Sequence, residues 1–313
     1  MTTQILKDAD AVMLLGPTAS GKTALALKAA KIVPCEIISI DSALVYKKMN
    51  IGTAKPTKEE LEQVPHHLID IIEPTEAYST ASFVSDCERL VKEIRARGRL
   101  PIIVGGTMLY AKALREGLSE LPTSTPEVRE KIANLLKEKG LPFLYEELKI
   151  VDPDSARRLS PNDTQRISRA MEVYELSGRP LTSFFGEVKG TELNIPTFAL
   201  FPEDRKELHQ RIALRFEQML ENGFLDEVRS LKEIPGLTKD HSSIRCVGYR
   251  QAWDYLDGLT SFDEFKEAGI AATRQLAKRQ ITWLRSMKDV TLLNGTSPEN
   301  ENTFLEACRL AAS

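Results

Sequence analysis

Over its first hundred or so residues the chain alternates short, continuously apolar runs with stretches of helical character. Ala11 to Leu15 and Leu100 to Val104 are short apolar runs, and Glu36 to Ile40 is a third, dominated by isoleucine, the pattern of strands covered on both faces. Between them, Ala24 to Ala30 reads as a helix and Ser79 to Gly98 as an amphipathic one. Buried strands alternating with helices predict an α/β fold, a parallel sheet with helices on both faces. Ligands of such sheets sit beyond the carboxyl ends of the strands, where Gly16–Thr23, Asp41 and Gly105–Thr107 fall.

The texture then changes. Leu121-Pro122-Thr123-Ser124-Thr125-Pro126 is a break, and from Glu127 to about Gly178 the chain has helical period and charge with no strand candidate. Thr197 to Phe201 is one more apolar strand, expected to return to the sheet, and Arg205 to about Met287 is mostly helical. The expected organisation is a core over residues 1–120, an all-helical insertion over 121–195, and a continuation of the core over 196–313 whose C-terminal part is helical and basic.

The first strand runs directly into Gly16-Pro17-Thr18-Ala19-Ser20-Gly21-Lys22-Thr23, which matches G-x-x-x-x-G-K-T and opens the following helix. The glycines let successive backbone N–H groups converge, and the helix N-terminus adds unsatisfied donors and partial positive charge. Lys22 supplies a full charge for phosphate oxygens, and the Thr23 hydroxyl is placed to ligate Mg²⁺. With strand, loop and helix in register, this is a P-loop that binds phosphate. The motif says what is held, not what is done to it.

Composition narrows the field only a little. Hydrophobic residues at 42% and charged residues at 28% are ordinary for a soluble chain, and a net charge of −3 argues against a uniformly basic surface while permitting a local basic patch. Cys35, Cys87, Cys246 and Cys308 are scattered, without zinc spacing or a disulfide pattern, as expected of reduced thiols in a cytoplasmic protein. Neither a secretory leader nor an apolar run long enough to span a bilayer is present, so no membrane association is expected.

Several residues could carry chemistry. Asp41 ends the second strand and faces the phosphate site, where a carboxylate either takes a proton from a nucleophile, orients Mg²⁺ through water, or caps the turn. The strand Leu100–Val104 has the build of one that ends in a Walker-B aspartate, but Gly105-Gly106 follows, permitting close approach of a ligand. Without that acid a motor-type ATPase is disfavoured. Two stretches lack acids in an otherwise acidic chain. One is Ala268–Lys288, with Arg274, Lys278 and Arg285 on one helical face and Trp283 among them; the other is His241–Arg250. Basic groups interleaved with aromatics suit unstacked RNA, although a solvated helix face explains either stretch alone. Arg166 with Arg169, and Arg211 with Arg215, can share helical faces and clamp phosphate or pair with nearby acids. His66-His67 reads as structural.

Taken together, the P-loop, Asp41-Ser42, Ile51-Gly52-Thr53-Ala54-Lys55-Pro56, Gly105-Gly106-Thr107-Met108-Leu109-Tyr110, Asn162-Asp163-Thr164-Gln165-Arg166 and Val247-Gly248-Tyr249-Arg250-Gln251 closely resemble the bacterial tRNA dimethylallyltransferases, over about residues 11 to 290. The resemblance implies a monomer that binds dimethylallyl diphosphate and tRNA. It implies transfer of the dimethylallyl group to N6 of the adenosine 3′ to the anticodon, position 37, in tRNAs that read codons starting with U. It assigns the general base to Asp41 and leaving-group stabilisation to Lys22, Thr23 with Mg²⁺, and Arg215. RNA contacts are implied at Asp41-Ser42-Ala43-Leu44, Thr107, Arg129 and Gln165-Arg166-Ile167-Ser168-Arg169. Further contacts fall at Arg245-Cys246-Val247-Gly248-Tyr249-Arg250 and Lys278-Arg279-Gln280-Ile281-Thr282-Trp283-Leu284-Arg285. Many relatives carry Met-Gln where this chain has Ala43-Leu44, and no zinc-finger spacing follows the C-terminal helix. The rival readings are a small-molecule kinase, a nucleotide-gated RNA-binding module without catalysis, and a transferase acting on free adenine nucleotides.

Overall fold

Among the described residues, six strands form one parallel sheet in the order β3-β2-β4-β1-β5-β6. They are β1 (Val12–Leu15), β2 (Cys35–Ile40), β3 (His66–His67), β4 (Leu100–Gly105), β5 (Thr197–Phe201) and β6 (Val290–Asn294). A computed structural model describes residues 3–186, 188–295 and 297–313. The four strands legible as apolar runs are buried along their whole length, because helices cover both faces and no alternation is required. Val12, Leu14, Ile102, Val104 and Phe198 point to one face, where the helices Lys22–Ala30 and Pro298–Ala312 contribute Leu25, Ala26, Ala29 and Phe304. The helix Thr80–Ala96 packs against β2 and β4.

Two strands were absent from the hydrophobic pattern. β3 is two histidines, and β6 (Val290–Asn294) is an edge strand broken by Thr291 and ended by Asn294, with only Leu293 buried, so neither stands out as a continuous apolar run. The structure also explains the histidines. His67 Nε2 lies 2.6 Å from Glu36 Oε2, and Arg97 donates to both oxygens of that carboxylate at 3.0 and 2.7 Å. The Arg97 guanidinium holds the Glu36 carboxyl below the usual range despite burial. This cluster pins β3 and the end of the Thr80–Ala96 helix to β2 at the sheet's amino end.

The chain divides into two units, Met1–Ala113 with Glu192–Ser313, and Leu114–Thr191. The second is helical and has its own core, including Ile132, Leu144, Leu148, Ile167, Ala170 and Val173. It spans 114–191 where the composition break suggested 121–195, because its start falls inside the helix Met108–Glu116. Its longest helical segment, Pro126–Val151, is two helices broken at Gly140, with Pro142 opening the second. In the first unit a further apolar cluster joins the helices Arg205–Glu221, Phe224–Lys232, Tyr249–Leu256 and Phe262–Ser286.

Candidate active site

The strand order brings the functional loops together. Leu15 of β1 and Ile40 of β2 both pair with Gly105 of the intervening β4, so the three strands end level. With strands about 4.8 Å apart, Asp41 sits roughly 10 Å across the sheet edge from the start of the P-loop. Within the loop Ala19 (φ 60°) and Gly21 (φ 93°) take left-handed conformations, which turn the chain into the helix Lys22–Ala30. No side chain among the described residues caps this helix, which leaves its first turn facing the pocket.

Lys22 Nζ donates to the Pro17 carbonyl at 3.2 Å. Burial lowers its pKa, Asp41 pulls it back up and Arg215 presses it down again, leaving it at about 8. Burial likewise lowers the Arg215 pKa, opposed by Asp41. Two cations and one carboxylate thus share a partly enclosed space, a net positive site suited to a polyanion. Asp41 is oriented by its turn: Oδ1 accepts the Ala43 N–H at 2.9 Å, while Thr107 Oγ1 accepts the Ser42 N–H at 2.9 Å. A cavity of about 180 Å³ joins these groups. Its polar lining includes Thr18, Lys22, Thr23, Asp41 and Arg215; its apolar lining includes Ile212, Phe216, Met219, Phe224 and Leu276.

Gln280 has a different place from the one its basic neighbours suggest. It is buried; Oε1 accepts the Thr18 N–H and Nε2 donates to the Gly106 carbonyl, both at 2.9 Å. A Cβ on Gly106 would come within 2.4 Å of Gln280 Nε2, so the close approach that this glycine permits is made by a side chain of the protein itself. One amide therefore ties the P-loop and the end of β4 to the helix Phe262–Ser286. A signal was available: Gln280 lies three residues after Ala277 and four before Leu284, both buried, so it sits on the helix's buried face.

Other expected RNA contacts divide by exposure. Arg245, Arg250, Lys278, Arg279, Thr282 and Arg285 are exposed, whereas Ile281, Leu284, Tyr249 and Gly248 are buried. Trp283 is partly buried, with the Lys112 ammonium 5.9 Å from its ring centre. Cys246, Val247, Gly248 and Tyr249 line the cavity together with Ala43 and Leu44. In the helical unit Arg129, Gln165 and Arg166 are exposed, Ser168 and Arg169 are partly so, and Ile167 is a core residue. Arg166 pairs with Asp163 at 2.6 Å, and Arg169 donates to the Pro122 carbonyl at 2.8 Å. Arg211 pairs with Glu207, while Arg215, one turn on, faces the cavity. The exposed set is thus narrower than the contiguous blocks suggest.

The apolar lining escaped residue-level reading. Ile212, Phe216 and Met219 follow Arg215's helix at i, i+4 and i+7, a stripe that reads equally as core. Gly52, Thr53 and Ala54 also line the cavity, on a loop whose motif had no assigned role.

A P-loop on a central parallel strand, facing a carboxylate and an enclosed arginine with no acid at the end of β4, defines an α/β protein of P-loop type whose cavity has a charged side and an apolar one. The chain belongs to the IPP transferase family, whose model matches residues 44–287. It is 59% identical over 278 residues to the tRNA dimethylallyltransferase of Neisseria meningitidis serogroup B, covering 88% of this chain and 89% of that relative. It is 53% identical to the Cupriavidus necator tRNA dimethylallyltransferase, covering 92% of this chain and 91% of the relative. Among solved structures, the full-length tRNA isopentenylpyrophosphate transferase of Bacillus halodurans superposes with TM-score 0.69 at 34% identity, covering 96% of this chain and 97% of that one. A eukaryotic dimethylallyltransferase acting on tRNA gives TM-score 0.78 at 28% identity, covering 94% of this chain and 75% of that one.

Proposed function

We propose that this chain transfers the dimethylallyl group of dimethylallyl diphosphate to N6 of adenosine 37 in tRNAs that read codons starting with U, releasing diphosphate. The observation that carries this reading is the Lys22–Asp41–Arg215 constellation at the mouth of an apolar compartment. In the transfer the N6 lone pair forms a bond to the allylic C1. The C1–O bond breaks, its electron pair leaves on diphosphate, and the N6 proton passes to the Asp41 carboxylate. Charge grows on the departing oxygens, where the loop N–H groups, Lys22 and Arg215 are aimed. No water is activated, which accounts for a P-loop without a Walker-B acid. The base must leave its stack to reach the pocket.

Mg²⁺ suits this donor set, since it is commonly held by one or two protein oxygens together with phosphates and water. Thr23 would hold it, with the Asp41 carboxylate lining the same cavity. When bound, the ion would neutralise charge on the diphosphate. The protein is taken to act as a monomer, and in the cytoplasm, where its tRNA substrate is met.

Substitution of the base tests the assignment. Asp41→Ala should abolish transfer, while affinity for tRNA, spread over many exposed basic side chains, stays nearly intact. Full turnover by the variant would remove Asp41 from the chemistry.

A further inference from the structure

We propose that Glu227 is a positioning residue that fixes one wall of the cavity and thereby limits the length of allylic chain the protein accepts; this rests on the reading of the cavity as an allylic diphosphate site.

The wall is the loop around Gly52, Thr53 and Ala54, which has no strand or helix of its own. One carboxylate holds three of its successive backbone N–H groups. Glu227 Oε2 accepts the N–H groups of Asn50 and Ile51 at 2.7 and 2.8 Å, and Oε1 accepts the Gly52 N–H at 3.1 Å and the Tyr249 hydroxyl at 2.6 Å. Four donors converge on one side chain, and hydrogen bonds to an ionised acceptor are the strong ones. From the other side the Lys55 ammonium, its side chain only 4% exposed, holds the Tyr46 carbonyl at 2.9 Å and also binds Asp70.

Glu227 also sits three residues after Phe224, on the same helix face, so the anchor and the aromatic wall move together. Phe224 and Tyr249 meet edge to face with ring centres 5.1 Å apart, and both line the cavity. A Cβ on Gly52 would fall 2.2 Å from Phe224 and 2.7 Å from Tyr249. The loop backbone therefore lies directly on the two rings. The cavity cannot lengthen here unless the loop lifts, and the loop cannot lift while Glu227 holds three successive N–H groups.

Two variants loosen this anchor. Glu227→Gln leaves one acceptor oxygen and turns an amide donor toward the remaining N–H groups. Tyr249→Phe removes a single donor and keeps the ring. For each, kcat/KM would be measured with dimethylallyl diphosphate and with geranyl diphosphate on the same unmodified tRNA. The ratio of the two values cancels any loss of folded protein, so a merely structural role would not move it. Glu227→Gln should shift the ratio toward the longer chain by at least about tenfold, and Tyr249→Phe should move it less in the same direction. A ratio within about twofold of wild type in both, or in Tyr249→Phe alone if Glu227→Gln does not fold, would overturn the proposal while leaving the transferase reading standing. Failure of the wild-type protein to transfer either chain would overturn both.

Discussion

Replacing Lys22 by methionine separates what the lysine costs the fold from what it contributes to binding. Its pKa stands at about 8 against an ordinary 10.5, with burial as the largest cause. At 1.36 kcal/mol per pK unit, that difference corresponds to roughly 3 kcal/mol by which the charged form destabilises the ligand-free protein. The side chain keeps some solvent contact, so a gain of ~1–3 kcal/mol is expected for Lys22→Met. The sign with pH follows from proton counting. Below about pH 8 both folded and unfolded chains hold the proton, and the penalty is complete. Between the two pKa values the unfolded chain holds a proton that the folded one has lost, so wild-type stability rises with pH and the variant's advantage shrinks. Denaturant titration of both proteins without ligand, at about pH 7 and about pH 10, reads this directly. Inorganic diphosphate should stabilise the wild type and stabilise the variant markedly less, since the loop N–H groups and Arg215 remain. A variant no more stable at neutral pH, or equally favoured at both pH values, would refute the burial argument.

Other substitutions probe separate parts of the structure. Gln280→Leu leaves the Thr18 N–H and the Gly106 carbonyl unpaired, and should lower stability by roughly 2–4 kcal/mol, read by thermal or denaturant unfolding. Glu36→Gln should cost about 1–2 kcal/mol, since its arginine partners are partly solvated. Because the Glu36 carboxyl is held below its usual range, that deficit should be present at neutral pH and vanish in acid as the wild-type group is protonated; acid unfolding curves of the two proteins check it. Lys278→Glu should weaken tRNA binding and reduce its dependence on salt by about one phosphate contact or more; unchanged binding would mean that this exposed face is only solvated.

The central strands and the phosphate loop were legible because their causes are local. β1, β2, β4 and β5 are mostly apolar and buried along their whole length, and Gly16 to Thr23 has a spacing that few other structures need. The edges were not legible. β3 is two histidines and β6 a largely unburied edge strand, and both are held by pairing to an existing sheet. The entry to the helical unit lies within a continuous helix, so composition shifts only some residues later. Of the site, the charged half is legible in sequence: Asp41, Lys22 and Arg215 face one cavity. Its apolar half comes from segments around Gly52, Phe216 and Phe224, which the fold assembles and whose residues look like ordinary core. Gln280 shows the same limit, being a polar residue in a basic helix whose partners lie 262 and 174 positions away.

The most direct test of the account supplies the purified protein with Mg²⁺, dimethylallyl diphosphate labelled in its allylic chain, and unmodified tRNA, followed by digestion and nucleoside analysis. Label is expected on N6 of a single adenosine beside the anticodon, with one diphosphate released per transfer and dependence on Asp41. Unlabelled tRNA, together with cleavage or transfer of the terminal phosphoryl group of ATP in a parallel incubation, would contradict it.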